Sequence, residues 1–297
     1  MNKIIEKLHV DINLNQIRYN MKKHFNSKFI ENINDDKKKL SYGTFGIIYI
    51  VKKNNKEYII KKPLINSDND LIASKTDSLI SSILSSFQEI YLKESIKICP
   101  LIYQVFKEIE NGKKIHNIVM EKYEGDCFNL FQSMNIYNDK NKDLLIELLK
   151  QVSSILLILQ NNFKFIHNDL KTNNILYNRI DKSKPIQSDN IIFIISDFGG
   201  SNLEINKKKV DGFLFGNNHK FCPAKDLHLL IHIIITYQSS KFKKPMVKFM
   251  RNIFDKLDLN NCEINNEKWH NLYQLKEYPN EFEPLNVINK INKLQLE

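Results

Sequence analysis

The chain has 297 residues, of which 42% are hydrophobic and 26% are charged, a composition typical of a globular protein with a sizeable core. Its eight Gly and seven Pro are too few for a collagen-like or low-complexity chain, and no apolar run is long enough to predict a membrane span. The first residues carry charges throughout, so we expect no secretory signal.

The formal net charge of +10 comes almost wholly from Lys, because Arg occurs only at Arg18, Arg179 and Arg251. Lys, Asn and Ile are all abundant, which is typical of an AT-rich genome, and we favour that interpretation over a selected basic surface. A lysine excess attracts phosphates and nucleic acids, but base reading favours Arg and clustered patches. We therefore expect no specific nucleic-acid partner. The four Cys include no Cys-x-x-Cys pair, as expected for reduced cysteines in a cytosolic compartment.

The first part of the chain is predicted to be rich in strands. Residues 1–38 are polar, partly helical in pattern, and lead into a charge run, so we expect an N-terminal extension. The segments that follow are strand-like at 40–51 and 57–62, helical at 70–98, and strand-like at 101–109 and 115–121, with Asn111-Gly112 as a turn.

The remainder changes character near residues 124–126. A strongly apolar helical run covers 143–163, short strands are predicted at 175–177 and 191–195, and further helices at 226–237 and 244–257. This order predicts an α+β protein with two parts. The smaller, residues 39–125, is strand-rich with one main helix, and the larger, residues 126–297, is mostly helical.

Two motifs in the first part suit phosphate binding. Gly43 and Gly46 flank Thr44-Phe45, and glycines let backbone amides approach phosphate oxygens closely. A plain hairpin turn explains these glycines about as well. Lys61 ends an apolar strand and needs an anionic partner, which a nucleotide phosphate or a helix carboxylate such as Glu89 would supply.

Two motifs in the second part suit metal-assisted chemistry. In the loop His167–Asn174, Asp169 can accept a hydroxyl proton, Lys171 can balance a phosphoryl group, and Asn174 can hold a hard cation. A polar loop without a function is the alternative. Asp197 follows an apolar strand and precedes Phe198-Gly199, a place well suited to a magnesium ligand.

Taken in this order, the four motifs resemble the protein kinase superfamily over about residues 40–237. The resemblance implies a bilobal fold that binds ATP and Mg²⁺. It makes Asp169 the base and Lys171 the phosphate-neutralising residue, with Asn174 and Asp197 as the metal ligands.

The same resemblance implies a nucleotide site in the smaller lobe. The phosphate-covering loop would comprise Ser41, at the first glycine position, followed by Gly43, Thr44, Phe45 and Gly46. Lys61 would anchor the phosphates, with Lys62 as the alternative. Its helix partner would be Glu89, or Glu94, because residues 66–78 resemble an insertion.

The segment that joins the lobes completes the predicted nucleotide site. Met120 would be the gatekeeper, and the backbone of Glu121–Tyr123 would bind the adenine. Asp126 would contact the ribose, although a plain turn between the lobes explains it equally well.

Two departures from the family pattern concern regulation. Asn168 replaces the usual Arg before the catalytic Asp, and no Ala-Pro-Glu motif follows Asp-Phe-Gly. Instead, Phe221–His228 leads into an apolar helix, and Asp226 resembles the aspartate that braces the catalytic loop. The compact activation segment and the composition are similar to divergent kinases of large DNA viruses.

The resemblance implies a serine/threonine-protein kinase that uses ATP and Mg²⁺. A small-molecule kinase of the aminoglycoside or choline type is the first alternative, because Pro223-x-x-Asp226-Leu227 also resembles that pattern. A pseudokinase that serves as a binding module is the second. We expect a monomer with a protein substrate and no membrane association, located in the cytoplasm, or in the host cytoplasm or the virion if the chain is viral.

Overall fold

The structure is a computed structural model that describes residues 9–30, 38–43, 46–93, 96–134, 139–212, 221–236, 244–259 and 278–296. The first described helix, α1, spans Leu14–Asn26. It begins where the side-chain oxygen of Asn13 accepts hydrogen bonds from the backbone N–H groups of Asn15 and Gln16. The predicted N-terminal extension thus contains a capped helix.

A five-stranded antiparallel sheet follows, in the order β1-β2-β3-β5-β4. Its strands are β1 (Lys38–Gly43), β2 (Gly46–Lys53), β3 (Lys56–Pro63), β4 (Ile102–Glu110) and β5 (Lys113–Glu121). The β2–β3 turn uses Asn54 and Asn55, both at positive φ, and the β4–β5 turn uses Asn111 and Gly112 in the same way. The predicted strand over 40–51 is therefore two strands, since the chain reverses between Gly43 and Gly46.

Helix α2 spans Asp68–Phe87 and packs on this sheet. It begins in a capping box, in which the Ser67 hydroxyl accepts from the N–H of Asp70 and the Asp70 carboxylate accepts from the N–H of Ser67. A short π-helical turn, Gln88–Leu92, ends it. Residues 66–78, predicted to be an insertion, thus contain the first half of the helix.

The second part of the chain contains most of the helices. A three-stranded antiparallel sheet has the order β6-β7-β8, and a separate hairpin is made of β9 and β10. The elements are β6 (Gly125–Asp126), α3 (Cys127–Ser133), α4 (Asp139–Phe163), β7 (Ile175–Arg179), β8 (Ile191–Ile195), β9 (Asn202–Ile205), β10 (Lys208–Asp211), α5 (Lys225–Ile235), α6 (Lys244–Lys256) and α7 (Pro284–Leu296).

Helix α4 is the centre of the larger apolar core. Its leucines at 148, 149, 156 and 159 are fully buried, and it contacts β8, β9, α6 and α7. This burial explains the unusually apolar run seen in the sequence. Among the described helices, none has the length and apolarity that a membrane crossing requires.

Candidate active site

The loop between α4 and β7 is held in place by hydrogen bonds to Asp226. The carboxylate of Asp226, at the start of α5, accepts hydrogen bonds from the backbone N–H groups of His167 (2.8 Å) and Asn168 (2.9 Å). Burial raises the pKa of Asp226, and the positive partners only partly oppose that effect. The ring nitrogen Nε2 of His167 lies 3.0 Å from the carbonyl oxygen of Ser196. The loop is therefore fixed to both α5 and the chain after β8.

This loop brings Asp169, Lys171 and Asn174 together. The oxygen Oδ2 of Asp169 accepts from Nζ of Lys171 at 2.7 Å and from Nδ2 of Asn174 at 3.0 Å. The same Nδ2 donates to the carbonyl oxygen of Asp169 at 2.8 Å. Both donations use Nδ2, so neither of these contacts uses the amide oxygen Oδ1 of Asn174.

Lys61 lies opposite the loop, on β3, between two carboxylates. Its Nζ donates to Oδ2 of Asp77 and to Oδ1 of Asp197, each at 2.7 Å. Burial alone would lower the pKa of Lys61, but the two carboxylates raise it above its usual value. Burial would likewise raise the pKa of Asp197, whereas Lys61 holds it below its usual value. The ammonium and the Asp197 carboxylate are therefore both charged.

The predicted partner of Lys61 was wrong. Glu89 lies in the π-helical turn after α2, where its Oε2 is 3.8 Å from Nε2 of His24. Asp77 holds Lys61 instead because residues 66–78, which we interpreted as an insertion, contain the first half of α2, and Asp77 lies in mid-helix. The alternative Glu94 lies outside the described residues. The Ser67-x-x-Asp70 capping pattern is the sequence signal that would have located the helix start.

The alternative lysine, Lys62, faces away from the site. Its Nζ lies 3.2 Å from carboxylate oxygens of both Glu108 and Glu110 on β4. Successive side chains of a strand point to opposite faces, so only one of the two neighbouring lysines can face Asp197. That residue is Lys61, as the sequence favoured.

Asp77 also holds the segment that carries Asp197. Its Oδ1 accepts from the backbone N–H of Phe198 at 2.9 Å, while its Oδ2 binds Lys61. An aspartate reaches less far than a glutamate, so α2 has to lie close to this segment. Gly199 allows that approach, because a Cβ there would lie only 3.3 Å from the carbonyl oxygen of Ala73 on α2.

The predicted phosphate-covering loop is described in part. Gly43 lies opposite Gly46 in the β1–β2 hairpin, and a Cβ at Gly46 would lie 2.8 Å from the carbonyl oxygen of Lys62. Position 46 therefore requires Gly for close packing against β3. Thr44 and Phe45, at the tip, lie outside the described residues, as does the side chain of Ser41.

The predicted adenine-binding segment follows β5. Met120 pairs with Ile59, two residues before Lys61 on β3, so both side chains lie on the same face of the sheet. The carboxylate of Glu121 is 3.0 Å from Nζ of Lys97 and 3.4 Å from the Tyr123 hydroxyl. The side chain of Glu121 thus fixes this segment.

The side chain of Asp126 caps the helix that follows it. Its Oδ1 accepts from the backbone N–H of Asn129 at 2.8 Å, and its Oδ2 accepts from Nδ2 of Asn129 at 2.7 Å. These contacts make Asp126 the N-cap of α3. This supports the interpretation as a turn between the lobes, and a contact with ribose stays a prediction.

Lys61 and its carboxylate partners share a cleft of about 260 Å³ with Asp169 of the loop between α4 and β7. Its lining includes Lys61, Asp77, Asp169, Asp197, Gly199 and Gly200. The carboxylate of Asp197 and the amide oxygen of Asn174 are hard oxygen donors. Mg²⁺ in phosphate sites takes only one or two carboxylates and completes its coordination with phosphate and water oxygens. The donor set therefore fits the predicted cation.

Comparison with known proteins finds a family and a relative that are similar to this chain. The family model of the protein kinase domain matches residues 35–222. A probable serine/threonine-protein kinase of Dictyostelium discoideum is 26% identical over 169 residues, which are 56% of this chain and 32% of that protein. The chain thus aligns with about a third of that relative's length. The similarity to kinases of large DNA viruses stays a prediction.

Proposed function

Since the chain belongs to the protein kinase family, with the bilobal α+β fold that its strand-rich and helical parts form, we propose that it transfers the γ-phosphate of ATP to Ser or Thr hydroxyls of proteins, with Mg²⁺. One observation carries the proposal. The Nζ of Lys61 joins Asp77 to Asp197 in the same cleft that Asp169 lines. A chain that had lost nucleotide chemistry would have no need to keep these charges together.

Lys61 supplies positive charge on the nucleotide side of the cleft. It is held from behind by Asp77, so its ammonium group keeps its position when phosphate oxygens approach. An ammonium already fixed and charged stabilises phosphate without reorganising, which favours the transition state. The carboxylate of Asp197 and the amide oxygen of Asn174 would hold Mg²⁺, which neutralises charge on the transferred phosphoryl group.

Asp169 is placed to receive the proton of the acceptor. Lys171 and Asn174 both donate to its Oδ2, so we assign proton acceptance to Oδ1. The hydroxyl oxygen forms a bond to the γ-phosphorus as the bond to the bridging oxygen of ADP breaks. The hydroxyl proton passes to Asp169, and Lys171 then offsets negative charge beside the phosphoryl group.

The proposed specificity for Ser and Thr acceptors rests on Lys171, because the chain resembles serine/threonine kinases in carrying Lys at this position. The relative in Dictyostelium discoideum is itself named a probable serine/threonine-protein kinase, which supports the same proposal. We further propose an ATP-binding lobe over residues 39–125 and a catalytic lobe over 126–297. A monomeric state and a cytoplasmic location complete the proposal.

The test is a labelling experiment with a matched inactive variant. Purified protein and the Asp197→Asn variant are incubated with γ-labelled ATP and Mg²⁺, together with basic proteins, casein, aminoglycosides or choline. We expect label on Ser and Thr of proteins with the wild type, and a loss of at least about 100-fold with the variant, because a metal ligand is gone. Label on the small molecules alone would overturn the protein kinase assignment. Near wild-type turnover by the variant would overturn the role of Asp197.

A further inference from the structure

The segment 9–30 lies across both parts of the molecule before the first strand begins. Three of its backbone N–H groups donate to side chains on three separate elements: Val10 to Oδ1 of Asn162 on α4 (3.1 Å), Asn13 to the hydroxyl of Tyr91 just after α2 (2.7 Å), and Ile30 to Oε1 of Gln104 on β4 (2.8 Å). One continuous stretch of chain is thus tied to the helical part, to the end of α2 and to the sheet.

Apolar contacts fix the same segment. Ile17 on α1 is only 2% exposed and belongs to the core that contains Ile80 and Leu84 of α2. At the other end, the ring of Phe29 stacks on Tyr103, with centroids 5.0 Å apart. Burial of an isoleucine side chain stabilises the elements that it joins, so α1 adds to the packing of α2.

The position of α2 decides whether the site is assembled. Asp77 reaches Lys61 and the N–H of Phe198 with a short side chain. Gly199 packs so closely against α2 that a Cβ at this position would lie 3.3 Å from the carbonyl oxygen of Ala73. Hydrogen bonds weaken steeply beyond about 3.2 Å, so a shift of α2 by about 1 Å would break both contacts. Whatever holds α2 in place therefore holds the active arrangement.

We infer that residues 9–30 form an intramolecular clamp that keeps α2 where Asp77 binds Lys61 and Phe198. The inference rests on the proposed function for its catalytic consequence. Between Asp197 and Asp226 the sequence contains one Ser, Ser201, and no Thr or Tyr. Ser201 is fully buried. The clamp supplies, from within the chain, the ordering that a loop phosphate supplies elsewhere.

The test uses the full-length chain with variants on opposite faces of α1. Ile17→Ala removes the buried contact, and Tyr19→Ala, at a residue 62% exposed on the same helix, is its matched control. Tyr91→Phe removes a single hydrogen bond at constant shape. Each protein is measured for kcat, for KM towards ATP, and for hydrogen–deuterium exchange of the amides in α2 and α4.

We expect Ile17→Ala to speed exchange in α2 but not in α4, and to lower kcat about tenfold, since the site is disassembled for part of the time. Tyr91→Phe should shift both readouts in the same direction by about two- to threefold. Tyr19→Ala should change neither readout. Equal acceleration in α2 and α4 with Ile17→Ala, or unchanged exchange in α2, would overturn the clamp. A wild type without phosphotransfer would overturn the proposed function, and the exchange comparison would still decide the clamp.

Discussion

The side-chain amide of Asn168 donates a hydrogen bond to the carbonyl oxygen of Gly200, 2.9 Å away. Asn168 adopts a φ of +64°, in the left-handed region that Asn tolerates better than most residues. Many kinases carry Arg at this position, where it pairs with a phosphate on the activation loop. Here, a neutral amide joins the catalytic loop to the segment after Asp-Phe-Gly directly, and no phosphate is needed for that contact.

We therefore predict full activity without phosphorylation of the activation segment. Protein co-expressed with a broad phosphatase should match protein autophosphorylated with ATP in kcat within about twofold. The physical reason is that Ser201 is fully buried and its hydroxyl donates to the carbonyl oxygen of His167. The measurement is an initial-rate assay, with phosphate sites mapped by mass spectrometry.

Ser201→Ala is the control for this prediction. The variant loses one hydrogen bond and about 0.5–1.5 kcal/mol of stability, but it should keep its activity and its indifference to phosphatase treatment. A large rise in activity that depends on phosphate at Ser201 would contradict the prediction.

The second prediction separates Asp77 from Glu89. Asp77→Asn should lower kcat/KM about 100-fold, because the amide no longer balances Lys61 and a hydrogen bond to Phe198 is weakened. Glu89→Gln should lose far less, since Glu89 contacts His24 of the segment 9–30 and is not among the residues that line the cleft. Steady-state kinetics with ATP varied decides the matter. Comparable losses in the two variants would show that the assignment of the lysine partner is wrong.

The sequence predicted the parts of the site that depend on local motifs. Lys61, Asp169, Asn174 and Asp197 each lie in a short pattern with a strand or loop of its own, and the structure brings all four to one cleft or its edge. Their convergence could be expected because the motifs occur in the order of the kinase family.

The parts that were missed depend on positions that no short motif fixes. The partner of Lys61 was assigned to Glu89 in place of Asp77 because residues 66–78 were interpreted as an insertion, whereas they contain the first half of α2. The contact of Val10 with Asn162 joins residues far apart in the chain, and backbone donors have no sequence signature. The β9–β10 hairpin turns at Asn206-Lys207, both at positive φ, and its strands are only four residues long, with Val210 as the one apolar residue of β10.

The third prediction concerns the division of roles in the cleft. Asp169→Ala should lower kcat by at least about 1,000-fold and leave the affinity for ATP nearly unchanged, because proton acceptance belongs to the transition state. Lys61→Ala should weaken ATP binding as well, since it removes the ammonium between Asp77 and Asp197. Binding is measured with a fluorescent ATP analogue under conditions without turnover. Equal loss of affinity in both variants would show that the roles are not divided this way.

The last prediction concerns acid stability and His228, which is fully buried on α5. Its ring packs edge-on against Tyr278 and Phe282, with centroid distances of 5.5 and 4.8 Å, and within the described ranges neither ring nitrogen has a hydrogen-bond partner. Burial, with a smaller contribution from the nearby His232, lowers the pKa of His228 to about 4, from 6.5 in the unfolded chain.

The folded state therefore binds fewer protons than the unfolded state between these two pKa values. The stability associated with neutral His228 is fully present above pH 6.5 and is lost as the pH falls through the folded-state pKa of about 4. Each pH unit in that interval changes the free energy of unfolding by about 1.4 kcal/mol at most.

Replacing the ring with an apolar side chain removes this proton linkage, so we expect His228→Leu to flatten the pH dependence of the free energy of unfolding between pH 7 and 5. Urea titrations at several pH values measure this free energy of unfolding. His116→Leu is the comparison, because His116 is only half-buried and burial lowers its pKa less than that of His228. A pH dependence for His228→Leu as steep as that of the wild type would show that His228 titrates normally in the folded protein.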